Sequence, residues 1–140
     1  NIDLKTDEVT RPALEILKRH NAGKRTCIAS FSDSRIEIAR NFIPEICTSM
    51  GPSQMFKVRL GAWGIIKPNL IGDCVQIPIR KYNIKLTTKR LIKFCHANHL
   101  KVHVWTINEA ETMKKIINLG VDGIVTDRPK LLKDILDSES

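Results

Sequence analysis

Residues 101–129, KVHVWTINEAETMKKIINLGVDGIVTDRP, constrain the fold more than any other stretch. They read as a complete strand–helix–strand unit. Val102, Val104 and Thr106 alternate with His103, Trp105 and Ile107, the period-2 pattern of a strand. Asn108 fits an N-cap, because its side-chain oxygen can accept from the free amides of a first helical turn. Glu111, three residues on, fits the capping box. Met113, Ile116, Ile117 and Leu119 supply an apolar helix face, and Gly120 suits the left-handed position that ends such a helix. Residues 123–126 read as a second strand, and Asp127 with Pro129 as the cap and first turn of another helix. A crossover of this kind requires the two strands to be parallel and the connection right-handed.

The rest of the chain repeats the theme. Residues 1–5 alternate apolar and charged, as a strand with Ile2 and Leu4 on one face and Asp3 and Lys5 on the other. Thr10, Arg11 and Pro12 are expected to open a helix running through Leu14, Ile16 and Leu17 to about His20. Residues 26–31 read as a strand, and Ser32, Asp33 and Ser34 as caps for a helix carrying Ile36, Ile38 and Ala39. Residues 45–50 form a short strand, and 51–72 a partly helical excursion without a clean period. Residues 74–79 are a strand with Pro78 near its end, since proline donates no ladder bond. Thr87 and Thr88 cap a helix with Leu91, Ile92, Phe94, Cys95 and Ala97, and Leu131, Leu132, Ile135 and Leu136 mark a last helix.

Strand and helix alternating in this way give either an open parallel sheet or part of a barrel. No GxGxxG or GxxxxGK[ST] loop follows a strand, which takes support from nucleotide-binding open sheets. No Ser, Cys and His arrangement suggests a hydrolase triad. The 140 residues fit one domain but fall short of the about 250 of a complete barrel. The chain starts at Asn1 with a strand, so it is expected to be the second part of a longer protein.

Among residues that carry chemistry, Asp3 and Lys5 come first. An acid and a base two apart on one strand face can point together into a barrel interior, where neither is usually left without a partner or ligand. A carboxylate suits a hard cation such as Mg²⁺ or Ca²⁺, and an ammonium can neutralise a phosphate. Taken alone, the two equally fit a salt bridge or an edge-strand charge pair. Trp105 opposes the parity of Val102 and Val104 and can wall a pocket or pack between strand and helix; Phe31 and Gln76 are weaker pocket-lining candidates. His20, His96, His99 and His103 read as surface or packing residues; His96 and His99 share a helix face at i, i+3 without a third ligand.

The four cysteines include no CxxC pair. Zinc binding and a disulfide framework are therefore not expected, and small buried thiols suit a reducing compartment such as the cytoplasm. Net charge is +8. The basic residues are spread out, without an arginine-rich arm or interleaved aromatics, so a nucleic-acid partner is not favoured. The charge can still attract anionic phosphodiesters or lipid surfaces. No apolar run approaches the about 20 residues of a membrane span.

The run VHVWTINEAETM…LGVDGIVTDRP, within residues 102–129, closely resembles the C-terminal signature of the glycerophosphodiester phosphodiesterase family. The resemblance implies a (β/α)₈ TIM-barrel fold, of the phospholipase C-like phosphodiesterase type, with residues 1–140 as the C-terminal part of one barrel domain. It also implies an activity, the hydrolysis of glycerophosphodiesters to an alcohol and glycerol 3-phosphate with a divalent metal, Mg²⁺ or Ca²⁺. Residues 1–5 resemble the family's apolar-x-Glu-apolar-Lys motif, in which the acid is a metal ligand and the lysine contacts phosphate. That implies Asp3 as metal ligand, one methylene shorter than the usual Glu, and Lys5 as a catalytic residue. Trp105 matches an aromatic at the family's active-site mouth, and Phe31 its Ser-Phe strand end, both substrate-binding. Asp3, Lys5, Phe31, Trp105 and Asp127 are thus expected near one rim. The family's His-Arg-Gly, Glu-x-Asp and His-Asp motifs have no counterpart here, so this chain by itself is expected to be inactive. The alternative is a non-catalytic half-barrel, a structural or interaction module with a basic, phosphate-binding surface.

Overall fold

The computed structural model describes residues 1–81 and 84–139. They form two compact units, Asn1–Cys74 and Val75–Ser140.

In the first unit, β1 (Ile2–Asp3), β2 (Cys27–Ala29) and β3 (Cys47–Thr48) make a parallel sheet in that order. Ile2 pairs with Ile28, Asp3 with Ala29, Cys27 with Cys47 and Ile28 with Thr48. Cys74 adds a parallel bridge to Ser49. Because side chains alternate across a strand, the sheet has two distinct faces. Leu4 and Ile28 pack with Leu14 and Leu17 of α1 (Asp7–Arg19), Ala39 of α2 (Asp33–Phe42), and Ala22, Ile43 and Ile46. Asp3, Cys27, Ala29 and Cys47 belong to the opposite face.

The first helix departs from expectation. It begins at Asp7 behind the extended N-cap Thr6, and Pro12 lies inside it. Proline in a helix interior removes one backbone bond, at about 3 kcal/mol. Fully burying Leu14 and Leu17 returns about 1.5–3 kcal/mol each, so the apolar face keeps the helix. Asp7 and Glu8 in the first turn and Lys18 and Arg19 in the last also suit its dipole. The excursion after β3 resolves into α3 (Pro52–Ala62), with Gly51 as N-cap and Pro52 at the first position.

β4 (Cys74–Ile77) starts at the last residue of the first unit, and the sheet of the second unit runs in the order β4, β7 (Lys101–Val104) and β8 (Gly123–Ile124). β7 and β8 are parallel in the register His103 to Gly123. An antiparallel pair, β5 (Arg80–Lys81) and β6 (Ile84–Lys85), follows β4 and was not anticipated from the sequence. The helices are α4 (Lys89–Ala97), α5 (Ala110–Asn118) and α6 (Pro129–Glu139). Thr88 caps α4, its hydroxyl accepting from the Leu91 amide at 3.2 Å. Cys95, Val102, Val104 and Met113 are fully buried, with Ile92 and Ile116 close behind. Gly120 follows α5 at φ +87°, as expected. Gly123 has a steric reason too: a Cβ there would sit 2.8 Å from the His103 ring.

The sequence assigns Asn108 to cap α5 with Glu111 closing a capping box. The structure corrects both: the N-cap is Glu109, without a side-chain cap bond, and Asn108 is engaged elsewhere. Strand parity also breaks at the end of β7, where Thr106 is exposed and Ile107 buried. Among the described residues, no helix is long and apolar enough to cross a membrane.

Candidate functional site

Each predicted site residue lies at or just beyond the C-terminal end of a strand. Asp3 closes β1, Phe31 follows β2, Trp105 follows β7 and Asp127 follows β8. That is the end at which barrel folds build their sites.

In the first unit the Lys5 ammonium donates to the Asp3 carboxylate. Lys5 is largely exposed and the Asp3 side chain about one-third so (32%). An ion pair this exposed contributes at most about 1 kcal/mol. The backbone carrying the pair is pinned from below. Ser30 Oγ donates to the Leu4 carbonyl at 2.8 Å, and the Ser32 amide donates to Ser30 Oγ at 3.2 Å. Arg35 donates to the Lys5 carbonyl at 2.6 Å, the Leu4 carbonyl at 3.3 Å and Asp7 Oδ1 at 2.6 Å. Ser30 and Arg35 are positioning residues that sequence reasoning passed over; the arginine in the first turn of α2, facing a strand end, was the available signal. Phe31 is 68% exposed.

In the second unit Trp105 is half-buried, its amide donating to the Ile77 carbonyl at 3.1 Å. Next to it is a hydrogen-bonded clamp. Asn108 Oδ1 accepts from the Asp127 amide at 2.9 Å and the Thr126 hydroxyl at 3.0 Å, and Nδ2 donates to Asp127 Oδ2 at 2.9 Å. Arg128 Nη1 donates to the Asn108 carbonyl at 3.3 Å, and the Arg128 amide to Thr126 Oγ1 at 3.0 Å. The Thr-Ile-Asn and Thr-Asp-Arg-Pro halves of the signature therefore fasten the loop after β7 to the loop after β8. Gln76, on β4, is half-buried.

The histidines hold structural places, as expected. His20 is the exposed C-cap of α1. His99 lies beyond α4 at φ +59°, so it does not share a helix face with His96. His96 Nε2 is 2.8 Å from Asp122 Oδ2. His103 packs on Gly123, and burial pushes its pKa down. Asp122 is a node at the start of β7, bonded to the Val102 amide at 2.8 Å and to Lys101 Nζ at 2.9 Å. Partial burial pushes its pKa up, but those two bonds and His96 outweigh it and hold the carboxyl at about 2.

The cysteines depart from the sequence reading. The sulfurs of Cys27, Cys47 and Cys74 all lie within 4.8 Å of one another. Spacing gave no hint of this, because the sheet register, not the sequence, brings them together.

Parallel strands alternating with helices, with polar groups gathered at strand ends, define the class: an α/β protein of the kind that builds parallel sheets and barrels. Residues 3–131 match the glycerophosphoryl diester phosphodiesterase family, and the chain belongs to that family. Among its relatives, the Mycobacterium tuberculosis protein named "Probable glycerophosphodiester phosphodiesterase 2" is 32% identical over 97% of this chain and 54% of its own length. A glycerophosphodiester phosphodiesterase of Caldanaerobacter subterraneus is 26% identical over 97% of the chain and 54% of its own. The chain thus spans about half the length of these curated relatives. The solved phosphodiesterase of Oleispira antarctica, in complex with sn-glycerol-3-phosphate, superposes with a TM-score of 0.72 at 21% identity, covering 98% of this chain and 54% of that one. A glycerophosphodiester phosphodiesterase of Parabacteroides distasonis gives 0.71 at 23%, covering 98% and 56%. The (β/α)₈ TIM-barrel fold class expected from the signature is the one these neighbours share.

Proposed function

We propose that the protein carrying this chain hydrolyses glycerophosphodiesters to an alcohol and glycerol 3-phosphate, with a divalent metal. The observation that carries the reading is the meeting of Asp3 and Lys5 at the end of β1, on the face turned away from the apolar core. Asp3 offers a hard oxygen ligand, and it is open enough to solvent for a cation to reach it. It fits one position of a Mg²⁺ or Ca²⁺ shell. Among the described residues, the one set of three or more clustered ligand groups is made of thiols, which a hard cation does not favour. When bound, such an ion polarises the phosphoryl oxygen.

Lys5 then places a positive charge beside the phosphate, where charge builds up as the bond breaks. Ser30 and Arg35 fix the Leu4 and Lys5 carbonyls and so hold the backbone from which that side chain extends. Phe31 is the first unit's candidate for an apolar wall against the substrate, and Trp105 is the second unit's candidate substrate-binding residue. The test is glycerophosphocholine hydrolysis by the full-length protein and by its Asp3→Asn and Lys5→Met variants. Unchanged kinetics in both variants would remove the reading.

A further inference from the structure

We infer that Cys27, Cys47 and Cys74 form a binding site for one soft, thiophilic metal ion of the Zn²⁺ or Cu⁺ class. The site is separate from the hard-cation position proposed at Asp3. Each cysteine begins a strand, β2, β3 and β4 in turn, whereas Asp3 ends β1. Cys27 and Cys47 are register partners on the polar face of the sheet.

The geometry suits a metal. Cys27 and Cys74 sulfurs are 3.6 Å apart, and all three lie within 4.8 Å of one another. At a metal–sulfur distance of about 2.3 Å, tetrahedral ligands stand about 3.8 Å apart and trigonal ones about 4.0 Å. The observed separations bracket both, so side-chain adjustments of under about 1 Å close the site around an ion of that size.

The backbone is already held. Cys74 bridges Ser49, its carbonyl accepts from the Met50 amide at 2.8 Å, and the Asp73 amide donates to the Thr48 carbonyl at 2.9 Å. A disulfide would use two of the sulfurs and leave the third; a thiolate-bound ion uses all three. Cys27 and Cys47 are half-buried and Cys74 is buried, which leaves a way in and room for a fourth ligand from solvent. Any proton a thiol carries is released to solvent as its sulfur–metal bond forms. Soft thiolate ligands favour Zn²⁺ and Cu⁺ over Mg²⁺ and Ca²⁺, so the two kinds of ion sort to different ends of the strands.

The probe is Cd²⁺ titrated into the reduced protein without oxygen, followed by its thiolate-to-metal absorption in the ultraviolet. The expected result is saturation at one equivalent, untouched by excess Mg²⁺. That absorption is lost in Cys47→Ser and Cys74→Ser and kept in Cys95→Ser, whose sulfur is buried within α4. Circular dichroism verifies that each variant is folded. If Cys74→Ser unfolds, Cys47→Ala at the half-buried position replaces it. Absence of the absorption in folded protein, or its survival in the Cys47 variants, overturns the site.

Discussion

Asn108 and Asp127 grip each other twice: Asn108 Nδ2 donates to Asp127 Oδ2 and the Asp127 amide donates to Asn108 Oδ1, both at 2.9 Å. The pair joins the loop after β7 to the loop after β8, and Trp105 stands at the base of the first loop. The most recognisable part of the sequence is therefore a fastener that fixes two strand-end loops relative to each other.

Asn108→Ala removes both bonds and leaves the Thr126 hydroxyl without its acceptor. A loss of about 0.5–1.5 kcal/mol is expected, since only the Thr126 bond is partly buried and water can replace the two to Asp127. Asn108→Asp should be no better, because it sets a second carboxylate against Asp127. Thermal melts of the two variants check this; melts equal to that of the parent would show that the loops are held otherwise.

The clamp also shows where the sequence was legible. Thr88 and Gly120 work through neighbours in the chain, and both are where local rules put them. Asn108 was misread because the same local rules make it an N-cap, while its partners arrive from another strand. Pro12 was taken as a helix start because the burial of Leu14 and Leu17, which outweighs its cost, is a tertiary effect. The Arg80–Lys85 pairing has no alternating apolar pattern to announce it. Cys27, Cys47 and Cys74 converge through sheet register, which no spacing rule encodes. Asp3 and Lys5 could be picked out from strand alternation; Ser30 and Arg35 hold their backbone from outside β1, and only the place of Arg35 at the start of α2 hinted at it.

Asp122 gives a pH dependence. Its carboxyl sits at about 2 in the folded chain, below the about 3.9 of an unfolded aspartate. A depressed carboxylate contributes stability that is present above the unfolded value and is lost as pH falls toward the folded one. The melting temperature should therefore drop between about pH 4 and pH 2, and Asp122→Asn should flatten that part of the curve while lowering stability at neutral pH. A variant whose acid limb matches the parent's would assign the acid sensitivity to other carboxylates.

The 140-residue chain alone should not turn over substrate. His96 is engaged with Asp122 and His103 packs against Gly123, while His20 and His99 sit exposed at helix ends, and a general acid or base is worth about 10²–10⁴-fold in rate. The assay is glycerophosphocholine turnover by purified chain with and without EDTA. EDTA-sensitive turnover would mean that the chain holds a proton carrier and a metal set of its own.

The final prediction separates chemistry from stability at Asp3 and Lys5 in the full-length protein. Asp3→Asn keeps the shape and removes the charge that holds a hard cation. Metal affinity and activity should fall together, with partial recovery at high Mg²⁺ or Ca²⁺. Lys5→Met removes the ammonium while keeping an apolar stem. If that ammonium acts on charge developing in the transition state, the catalytic rate falls more than substrate binding weakens. A purely structural pair behaves differently. Both groups are exposed enough for the pair to be worth at most about 1 kcal/mol, so each substitution would lower the melting temperature slightly and leave kinetics alone. Arg35→Lys supplies the third comparison, because it keeps the charge but loses the forked contacts to the Lys5 carbonyl and Asp7. A positioning role predicts a lower rate with metal affinity preserved. Melts, metal titrations and kinetics on the same three variants decide among these outcomes, and mutants that are slightly destabilised but kinetically normal would reduce the Asp3–Lys5 pair to a surface salt bridge.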